Sequence, residues 1–490
     1  MNINFRVLIK ILGVLTLIEG LFLLPCAAAG LIFEEWKCAG AFLIIGLYCI
    51  CIGYVILVCF KFDQIKLHFR EGYLIACMSW LMCSIIGALP FFFAGEGYGI
   101  IDSFFESVAG FTTTGCSVFD LGTMPRSLLM WKSIINWLGG MGILVLLVSI
   151  FPALGISGQS IASAESTGPA MEKLGGRYSD TGRILYMTYL FLTAAEFILL
   201  AAGPLSCFDA LINTFGSIST SGLIITPSNA ACFDTVYVRM VIMVFTICSS
   251  LNYTLFYFFI KGDLKTVFKN IEARGFLAIA GCSAVLIAIC LKATGTYSSI
   301  WQAFKDALCQ VVSFISTAGY YVCDYTQWPT FCTIILFSLL FIGGCSMSTS
   351  GSLKIIRIIV LFKLIKRGIF RQVHPHAVKA VVVEGRAIPA DKVSGITTHV
   401  LLFFAFFFFS CLVLSINSFD METTISTAIG LFSNTGLALG EAGTSGYFGM
   451  FSGFSKVFMS LMMIAGRLEM YALLLMFSKS FWRIDSVRSI

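Results

Sequence analysis

The feature that most constrains this chain is a succession of apolar runs, each long enough to cross a bilayer. A helix needs about 20 mostly apolar residues to span the hydrocarbon core. Ten runs qualify: 9–31, 39–60, 72–94, 128–151, 183–203, 236–260, 275–293, 329–361, 396–416 and 451–478. Only 12% of the 490 residues are charged, about half the fraction typical of soluble proteins. Much of the surface must face lipid, which predicts an all-α membrane protein with ten spans.

Four shorter, half-apolar segments lie between these runs, at 102–113, 208–219, 305–316 and 421–433. Each is too short to span, and segments of this length are typically re-entrant or buried. Each has one predicted span before it and one after it. This regular placement predicts four units of the form helix, short helix, helix.

The distribution of cations predicts which side of the membrane each loop occupies. Lysines and arginines cluster near 61–70, 173–183, 261–274 and 363–392, whereas the alternate loops hold few. The positive-inside rule places the basic loops in the cytoplasm. Both termini are then predicted to be cytoplasmic, and all four short segments fall on the outer side.

The four short segments end in related stretches, which read FTTTGCS (111–117), ISTSGLI (218–224), ISTAGYY (315–321) and FSNTGLA (432–438). In each, a small hydroxyl residue stands three positions before a glycine. The hydroxyl residues are Thr112, Ser219, Ser316 and Ser433, and the glycines are Gly115, Gly222, Gly319 and Gly436. Four hairpin turns rich in Ser, Thr and Gly are the alternative. The regular spacing of about a hundred residues favours an internal repeat.

An acid precedes each stretch, which suits a pore helix. Asp102, Asp209 and Asp306 stand thirteen residues before their glycines, and Asp420 and Glu422 lie near the fourth segment. An acid at a helix start caps free N–H groups and suits the positive end of the dipole. Irregular backbone at membrane depth requires a wet or protein-lined cavity. Four such loops around one axis could present a ring of carbonyl oxygens that replaces the water shell of K⁺.

On these motifs the sequence resembles the Trk/Ktr/HKT superfamily of potassium transporters, and specifically its TrkH-like bacterial branch. The resemblance implies four helix–pore loop–helix repeats around one pore, plus two N-terminal helices. The implied division is 1–65 for the N-terminal pair, then 66–160, 161–268, 269–375 and 376–490 for the four repeats. A serine in place of the first-loop glycine accompanies Na⁺ preference in this superfamily, so Gly115 favours K⁺.

The resemblance also implies the residues of the selectivity filter, whose backbone carbonyls would bind the transported K⁺. They are Thr113, Thr114, Gly115, Thr220, Ser221, Gly222, Thr317, Ala318, Gly319, Asn434, Thr435 and Gly436. Ala318 and Asn434 depart from the hydroxyl pattern. Because the expected ligands are backbone oxygens, these departures do not change the prediction of conduction.

A run of glycine and serine interrupts the eighth predicted span. The residues are Gly343, Gly344, Cys345, Ser346, Met347, Ser348, Thr349, Ser350, Gly351 and Ser352. Such a composition disfavours helix, and broken backbone needs a protein-lined or wet site. The family carries a pore-blocking intramembrane loop here, so we predict a gate. The alternative is a helix face of small residues for close packing.

Arg467 is predicted near the middle of the tenth span. A central arginine costs at least about 2.5 kcal/mol, so it should face a cavity or a partner. The family carries an arginine on the pore wall near the gate, and snorkelling to the interface is the alternative. Glu469 is a weak candidate partner, because it lies on a different side of a continuous helix. Lys354 and Arg357 are predicted to be interfacial anchors or partner contacts.

The leading functional prediction is channel-like K⁺ uptake across the bacterial inner membrane, and the alternative is a proton- or sodium-coupled symporter with the same filter. We identify no chain of intramembrane Asp, Glu or His residues, no catalytic constellation and no nucleotide-binding fingerprint. The chain is therefore predicted to be no enzyme, to need no cofactor and to bind no nucleic acid. Resemblance implies a homodimer in lipid and a TrkA-like cytosolic ring that binds the regulatory nucleotide.

Overall fold

The computed structural model describes residues 4–60, 69–95, 97–142, 178–225, 230–320, 323–377, 380–443 and 447–482. Its helices are α1 (Phe5–Ile32), α2 (Trp36–Cys59), α3 (Phe69–Ala94), α4 (Ile100–Phe111), α5 (Arg126–Gly140), α6 (Tyr178–Ala201), α7 (Cys207–Ile218), α8 (Ala230–Phe233), α9 (Val236–Ser250), α10 (Thr254–Ile260), α11 (Leu264–Lys269), α12 (Ile271–Ala293), α13 (Ile300–Ile315), α14 (Thr330–Leu339), α15 (Ile355–Val373), α16 (Ala390–Leu414), α17 (Met421–Phe432), α18 (Gly453–Arg467), α19 (Tyr471–Phe477) and α20 (Lys479–Trp482). Strands β1 (Val382–Val383) and β2 (Arg386–Ala387) form a hairpin, with Val382 opposite Ala387.

The helices follow the predicted order of long helix, short helix, helix four times along the chain. The four sets are α3–α4–α5, α6–α7–α9, α12–α13–α14 and α16–α17–α18, and α1 and α2 precede them. The short helices α4, α7, α13 and α17 occupy the predicted short segments and are called pore helices 1 to 4. Pore helix 3 is the longest at 16 residues, because it begins at Ile300, ahead of the predicted start.

The core is formed where each pore helix is enclosed by its neighbours. Around pore helix 1, Phe105 and Phe111 are fully buried together with Trp80 of α3 and Trp131 of α5. The Trp131 ring nitrogen donates to the carbonyl of Gly87 at 3.0 Å. A buried polar atom of a large aromatic ring usually needs such a partner. This hydrogen bond joins α5 to α3, and pore helix 1 packs against both, which positions the loop that follows it.

Six described helices are long and apolar enough to cross a membrane: α1, α2, α3, α6, α12 and α16. Two bent pairs, α9 with α10 and α18 with α19, qualify if each pair is one span. The ten predicted spans are thus not all continuous helices. α14 has only 10 residues, and the 143–151 part of the fourth predicted span lies outside the described residues.

The predicted sixth and tenth spans are wrong as single helices. α9 and α10 meet at 102° across 251–253, and α18 and α19 meet at 117° across 468–470. Glu469 and Met470 adopt positive φ angles of 54° and 62° in the second break. Neither break contains proline, and each lies inside a longer, mostly apolar run, so helix propensity did not reveal them. The eighth predicted span is broken between Leu339 and Ile355, as its composition predicts.

The basic loop residues Lys61, Lys66, Lys173 and Arg177 lie outside the described residues, as do the proposed boundaries near 65 and 160.

Candidate functional site

The four loops after the pore helices begin with the same backbone geometry. Each helix ends at a hydroxyl residue in the C-cap position, namely Thr112, Ser219, Ser316 and Ser433. The next residue has a positive φ in every loop: 56° at Thr113, 54° at Thr220, 57° at Thr317 and 55° at Asn434. A non-glycine residue in this region costs roughly 1–2 kcal/mol. Strain at four matching positions indicates that the surrounding structure imposes this turn.

The cap hydroxyls hold the residue two positions further along each loop. Thr112 and Thr114 join their hydroxyls at 2.9 Å, Ser219 and Ser221 at 2.7 Å, and Ser433 and Thr435 at 2.7 Å. In the third loop the backbone N–H of Ala318 donates to the Ser316 hydroxyl at 3.2 Å. The departure at Ala318 from the hydroxyl pattern is therefore accommodated by a backbone donor at the same place.

Backbone N–H groups of the loops donate back to the pore helices. Thr114 and Gly115 donate to the Ala109 carbonyl at 2.9 and 3.1 Å, and Thr435 and Gly436 donate to the Gly430 carbonyl at 2.9 and 3.0 Å. Ala318 donates to Ser313 and Ser221 donates to Gly216 in the same way. Because the N–H groups are used on the helix side, the carbonyl oxygens are the groups that the loops present to one another.

The four glycines form a closed cycle of contacts with these carbonyl oxygens. A Cβ added to Gly115 would overlap the Ser221 carbonyl oxygen, one on Gly319 would overlap that of Thr435, and one on Gly436 would overlap that of Thr114. A Cβ on Gly222 would lie 3.3 Å from the Ala318 oxygen. Each loop therefore touches the next in the order 1, 2, 3, 4 and back to 1. The predicted filter residues converge around one axis.

Glycine is required at these positions for two reasons. The φ angles of Gly115, Gly222, Gly319 and Gly436 are 75°, 99°, 72° and 71°, a region that L side chains rarely adopt. A side chain would also displace a neighbouring carbonyl oxygen in at least three of the four loops.

The predicted gate run, 343–352, lies against three of the four loops. The Gly351 N–H donates to the Thr317 hydroxyl at 2.7 Å, and the Thr220 hydroxyl donates to the Thr349 hydroxyl at 3.2 Å. A Cβ on Gly351 would overlap the Ser433 carbonyl oxygen. The run, called the gate loop below, thus contacts the predicted filter residues at the end where the loops leave the pore helices.

The backbone carbonyls of two serines at the end of α9 accept hydrogen bonds from the gate loop. The Cys345 and Thr349 N–H groups donate to the carbonyls of Ser250 and Ser249 at 2.9 and 3.3 Å. Carbonyls in the last turn of a helix have no partner within that helix. The break after Ser250 therefore exposes acceptors that the gate loop uses.

Arg467 joins the gate loop to the first repeat. Its guanidinium donates to the Thr349 carbonyl at 2.7 Å and to the carbonyls of Gly139 and Gly140, each at 2.7 Å. Arg467 is the last residue of α18 and stands at the break between α18 and α19, which lies within the predicted tenth span. These contacts agree with the prediction that Arg467 lies near the gate loop and does not snorkel to the interface.

Three charged residues near the gate loop have partners that the sequence did not predict. Glu469 forms an ion pair with Arg357, which also contacts the His399 ring at 2.9 Å. Lys354 donates to the Ser350 carbonyl and lies 3.4 Å from the Ser348 hydroxyl. Lys354 and Arg357 are 1% and 6% exposed. The prediction of interfacial anchors or partner contacts is wrong for both. Arg357 is buried and paired with Glu469, and the buried Lys354 ammonium is hydrogen-bonded to the gate loop.

The acids before the pore helices do not all act as caps. Asp420 is the N-cap of pore helix 4 and accepts from the Thr423 N–H, and Ser206 takes that role at pore helix 2. Asp102 instead lies 2.6 Å from the Lys456 ammonium, and Asp306 lies 3.4 Å from Arg239. Asp306 cannot cap, because it stands in the middle of pore helix 3. The expected capping role is thus wrong for Asp102, Asp209 and Asp306.

The sequence analysis did not predict the polar residues that hydrogen-bond to the backbone shortly after each loop glycine. Nine residues before the first three glycines stand Glu106, Asn213 and Gln310. Glu106 accepts from the Val118 N–H at 3.0 Å, Asn213 from the Ile224 N–H at 2.8 Å, and Gln310 donates to the Tyr320 carbonyl at 3.4 Å. In the fourth loop Ser426 accepts from the Leu439 N–H at 2.8 Å. The fixed offset from the glycine was a usable signal.

Two buried carboxyl groups of spanning helices were also missed. Glu196 of α6 accepts from the Ser217 hydroxyl of pore helix 2 at 2.5 Å. Glu19 of α1 lies beside Gly87, where an added Cβ would be 3.3 Å from its Oε1. Both are at most 2% exposed. In the described ranges no group of three or more His, Cys, Asp or Glu side chains is placed to hold a metal ion.

Comparison with known proteins gives matches over nearly the whole chain. The sequence profile of a family described as "TrkH: Cation transport protein" matches residues 39–484. The Trk system potassium uptake protein TrkH of Escherichia coli K12 is 31% identical, over 98% of this chain and 100% of its own length. TrkG of the same strain is 32% identical, over 98% and 99%. The crystal structure of the potassium transporter TrkH from Vibrio parahaemolyticus matches with a TM-score of 0.87 at 29% identity, over 98% and 100% of the two chains.

Proposed function

The chain belongs to the TrkH family of cation transport proteins, and from this premise we propose that it takes up K⁺ by channel-like conduction through a four-loop carbonyl filter. It is a multi-pass membrane protein of a transport family, not an enzyme. Relatives named as Trk system potassium uptake proteins support K⁺ as the transported ion.

The observation that carries the filter proposal is the closed cycle of glycine–carbonyl contacts. Each filter glycine lies against a carbonyl oxygen of the next loop, and loop 4 returns to loop 1. A Cβ on Gly319 would also lie 3.8 Å from the Thr114 oxygen of the opposite loop. Carbonyl oxygens that converge from four loops can replace the hydration shell of K⁺. The pore helices point their negative C-terminal ends toward the same place, which favours a cation.

We propose that residues 343–352 together with Arg467 form the gate. The gate loop contacts the filter loops through Thr349 and Gly351, so an ion leaving the filter would meet it. The Arg467 guanidinium would add an electrostatic barrier, which is strong where the surroundings are of low dielectric. Withdrawal of the loop would open the path.

A proton-coupled potassium symporter is the second candidate, and the buried carboxyl groups favour it. Glu196 is hydrogen-bonded to pore helix 2, and Glu19 lies beside the first repeat. Ionisable residues within spans often belong to proton relays.

The wider assembly follows from family membership as a proposal. We assign the chain to the bacterial inner membrane with both termini cytoplasmic, as a homodimer in lipid. A TrkA-like cytosolic ring would bind the regulatory nucleotide. We retain 1–65, 66–160, 161–268, 269–375 and 376–490 as the proposed N-terminal pair and four repeats.

Flux in proteoliposomes tests the proposed function. Purified protein should carry K⁺ and Rb⁺ in preference to Na⁺, and a pH gradient alone should not drive K⁺ against its own gradient. Empty liposomes are the control. Uphill K⁺ movement driven by the pH gradient would favour the symporter, and equal K⁺ and Na⁺ fluxes would contradict the filter proposal.

A further inference from the structure

A carboxylate on a neighbouring helix holds the gate loop at a point that neither Arg467 nor the filter touches. Glu272 is the second residue of α12, and its Oε2 accepts from the Ser346 N–H at 2.7 Å. The Glu272 side chain is buried. Hydrogen bonds to an ionised acceptor are roughly twice as strong as neutral ones. The gate loop therefore depends on where the first turn of α12 lies.

The first turn of α12 is in turn held by the cytoplasmic β-hairpin. Glu384, at the hairpin turn, accepts from the Ile271 N–H at 2.9 Å and lies 3.4 Å from the Asn270 amide nitrogen. Asn270 is the N-cap and accepts from the Ala273 N–H at 2.9 Å. A carboxylate beside free N–H groups at a helix N-terminus is favoured by hydrogen bonding and by the dipole. Glu384 thus fixes the residue next to Glu272.

The same hairpin is attached to the helix that leaves the gate loop. Lys363 of α15 donates to the Val382 carbonyl at 2.6 Å. Val381 packs with Val360 of α15 and with Val393 and Ile396 of α16. The hairpin therefore contacts α12, which holds the gate loop through Glu272, and α15, which continues directly from that loop. Movement of the hairpin must act on both.

We propose that Glu272 and Glu384 are positioning residues of the gate loop, and that they transmit displacement of the cytoplasmic hairpin to Ser346. With the hairpin in place, Glu384 holds the first turn of α12 and Glu272 holds the loop closed. When the hairpin moves, the loop loses this anchor. The functional part of the inference rests on the proposed function, because it takes residues 343–352 as the gate.

The variants Glu272→Ala and Glu384→Ala test the linkage, and Glu272→Gln and Glu384→Gln retain an acceptor of similar shape. Asp391→Ala is the matched control, because Asp391 is an exposed acid in the first turn of α16 on the same cytoplasmic side. Loss of one hydrogen bond to a charged group corresponds to a shift of about tenfold or more in the loop equilibrium. The two Ala variants should raise Rb⁺ flux about tenfold, the Gln variants less, and the control not at all.

A second measurement reports the loop without relying on transport. Cys345 is buried within the gate loop, so its modification by a membrane-permeant maleimide, followed by peptide mass spectrometry, reports loop release. Labelling should rise about tenfold in Glu272→Ala and Glu384→Ala. Faster labelling without faster flux would support the positioning role while overturning the gate itself. Unchanged labelling in folded Glu272→Ala would overturn the inference, and unchanged labelling in Glu384→Ala alone would overturn its hairpin half.

Discussion

The first predicted filter residue of each loop shows how side chains stabilise a strained backbone. Three loops use threonine at this positive-φ position, and the fourth uses Asn434. Asparagine tolerates this conformation better than most residues. Its amide also donates to the Thr114 hydroxyl at 3.1 Å and to the Met463 carbonyl at 2.9 Å. Asn434 departs from the hydroxyl pattern, but its amide joins loop 4 to loop 1 and to α18, so the departure does not weaken the site.

Gly115→Ser is the sharpest test at the scale of one residue. A side chain there would overlap the Ser221 carbonyl oxygen in a backbone conformation that favours glycine. The displaced carbonyl ring should fit K⁺ less well, so Na⁺ flux should rise relative to K⁺. The ratio of K⁺ to Na⁺ flux in proteoliposomes is the measurement.

Gly281→Ser is the control for that variant. Gly281 lies in α12 with no neighbouring atom within 4 Å of an added Cβ, so its replacement should leave the flux ratio unchanged. An unaltered ratio in folded Gly115→Ser would show that loop 1 does not contribute to selectivity.

At the scale of the element, the ends of three helices explain how the gate loop is retained. α5, α9 and α18 end at Gly140, Ser250 and Arg467. Ser249 and Ser250 offer last-turn carbonyls to the gate loop, while Gly139 and Gly140 offer theirs to Arg467. Carbonyls in the last turn of a helix have no N–H donor within that helix. The helix ends thus supply acceptors for the gate loop and for Arg467.

The GGMG run at 139–142 allows close helix packing and also exposes backbone acceptors. A Cβ on Gly139 would overlap the Phe111 carbonyl oxygen at the end of pore helix 1, and one on Gly466 would overlap that of Phe432 at the end of pore helix 4. Small residues allow such close approach. They also expose the carbonyls that Arg467 uses.

Arg467→Ala should conduct K⁺ faster than the parent, and Arg467→Lys should fall between them. The substitution removes a fixed positive charge near the path and the donors to Thr349, Gly139 and Gly140. Each lost charged hydrogen bond corresponds to about 1.5–3 kcal/mol. Rb⁺ flux into proteoliposomes is the measurement.

A shortened gate loop lacking residues 346–350 separates the two effects of Arg467. This variant alone should give high flux. If Arg467 acts only through the loop, adding Arg467→Ala to the shortened form should change nothing, whereas a further rise would identify an independent barrier. Flux no faster than the parent in folded Arg467→Ala would assign the residue a structural role only.

At the scale of the whole molecule, ion pairs join repeats at two of the seams. Lys456 of α18 pairs with Asp102 of pore helix 1, and Arg239 of α9 pairs with Asp306 of pore helix 3. Each cation is the fourth residue of its helix. The pairs therefore join repeat 4 to repeat 1 and repeat 2 to repeat 3, which closes the ring at opposite sides.

Lys456→Gln should lower the stability of the assembled ring. The pair is mostly buried on the lysine side and partly exposed on the aspartate side, so the loss should be about 1 kcal/mol. The melting temperature in detergent is the measurement. The charge-swapped double variant Asp102→Lys with Lys456→Asp should recover part of the loss. Failure of Lys456→Gln to lower the melting temperature would show that this seam does not depend on the pair.

The sequence by itself determined the helical membrane class, the four short helices, the glycines of the loops that follow them and the break in the helix at 343–352. These are local properties: the length of an apolar run, the distance of a hydroxyl from a glycine, and the low helix propensity of glycine and serine. Only the tertiary structure decided the breaks at 251–253 and 468–470, the pairing of Asp102 with Lys456 and of Arg357 with Glu469, and the anchoring of Ser346 by Glu272. The physical reason is that an interrupted backbone or a buried charge is stabilised by partners from helices distant in sequence. Those partners exist only after the chain has folded.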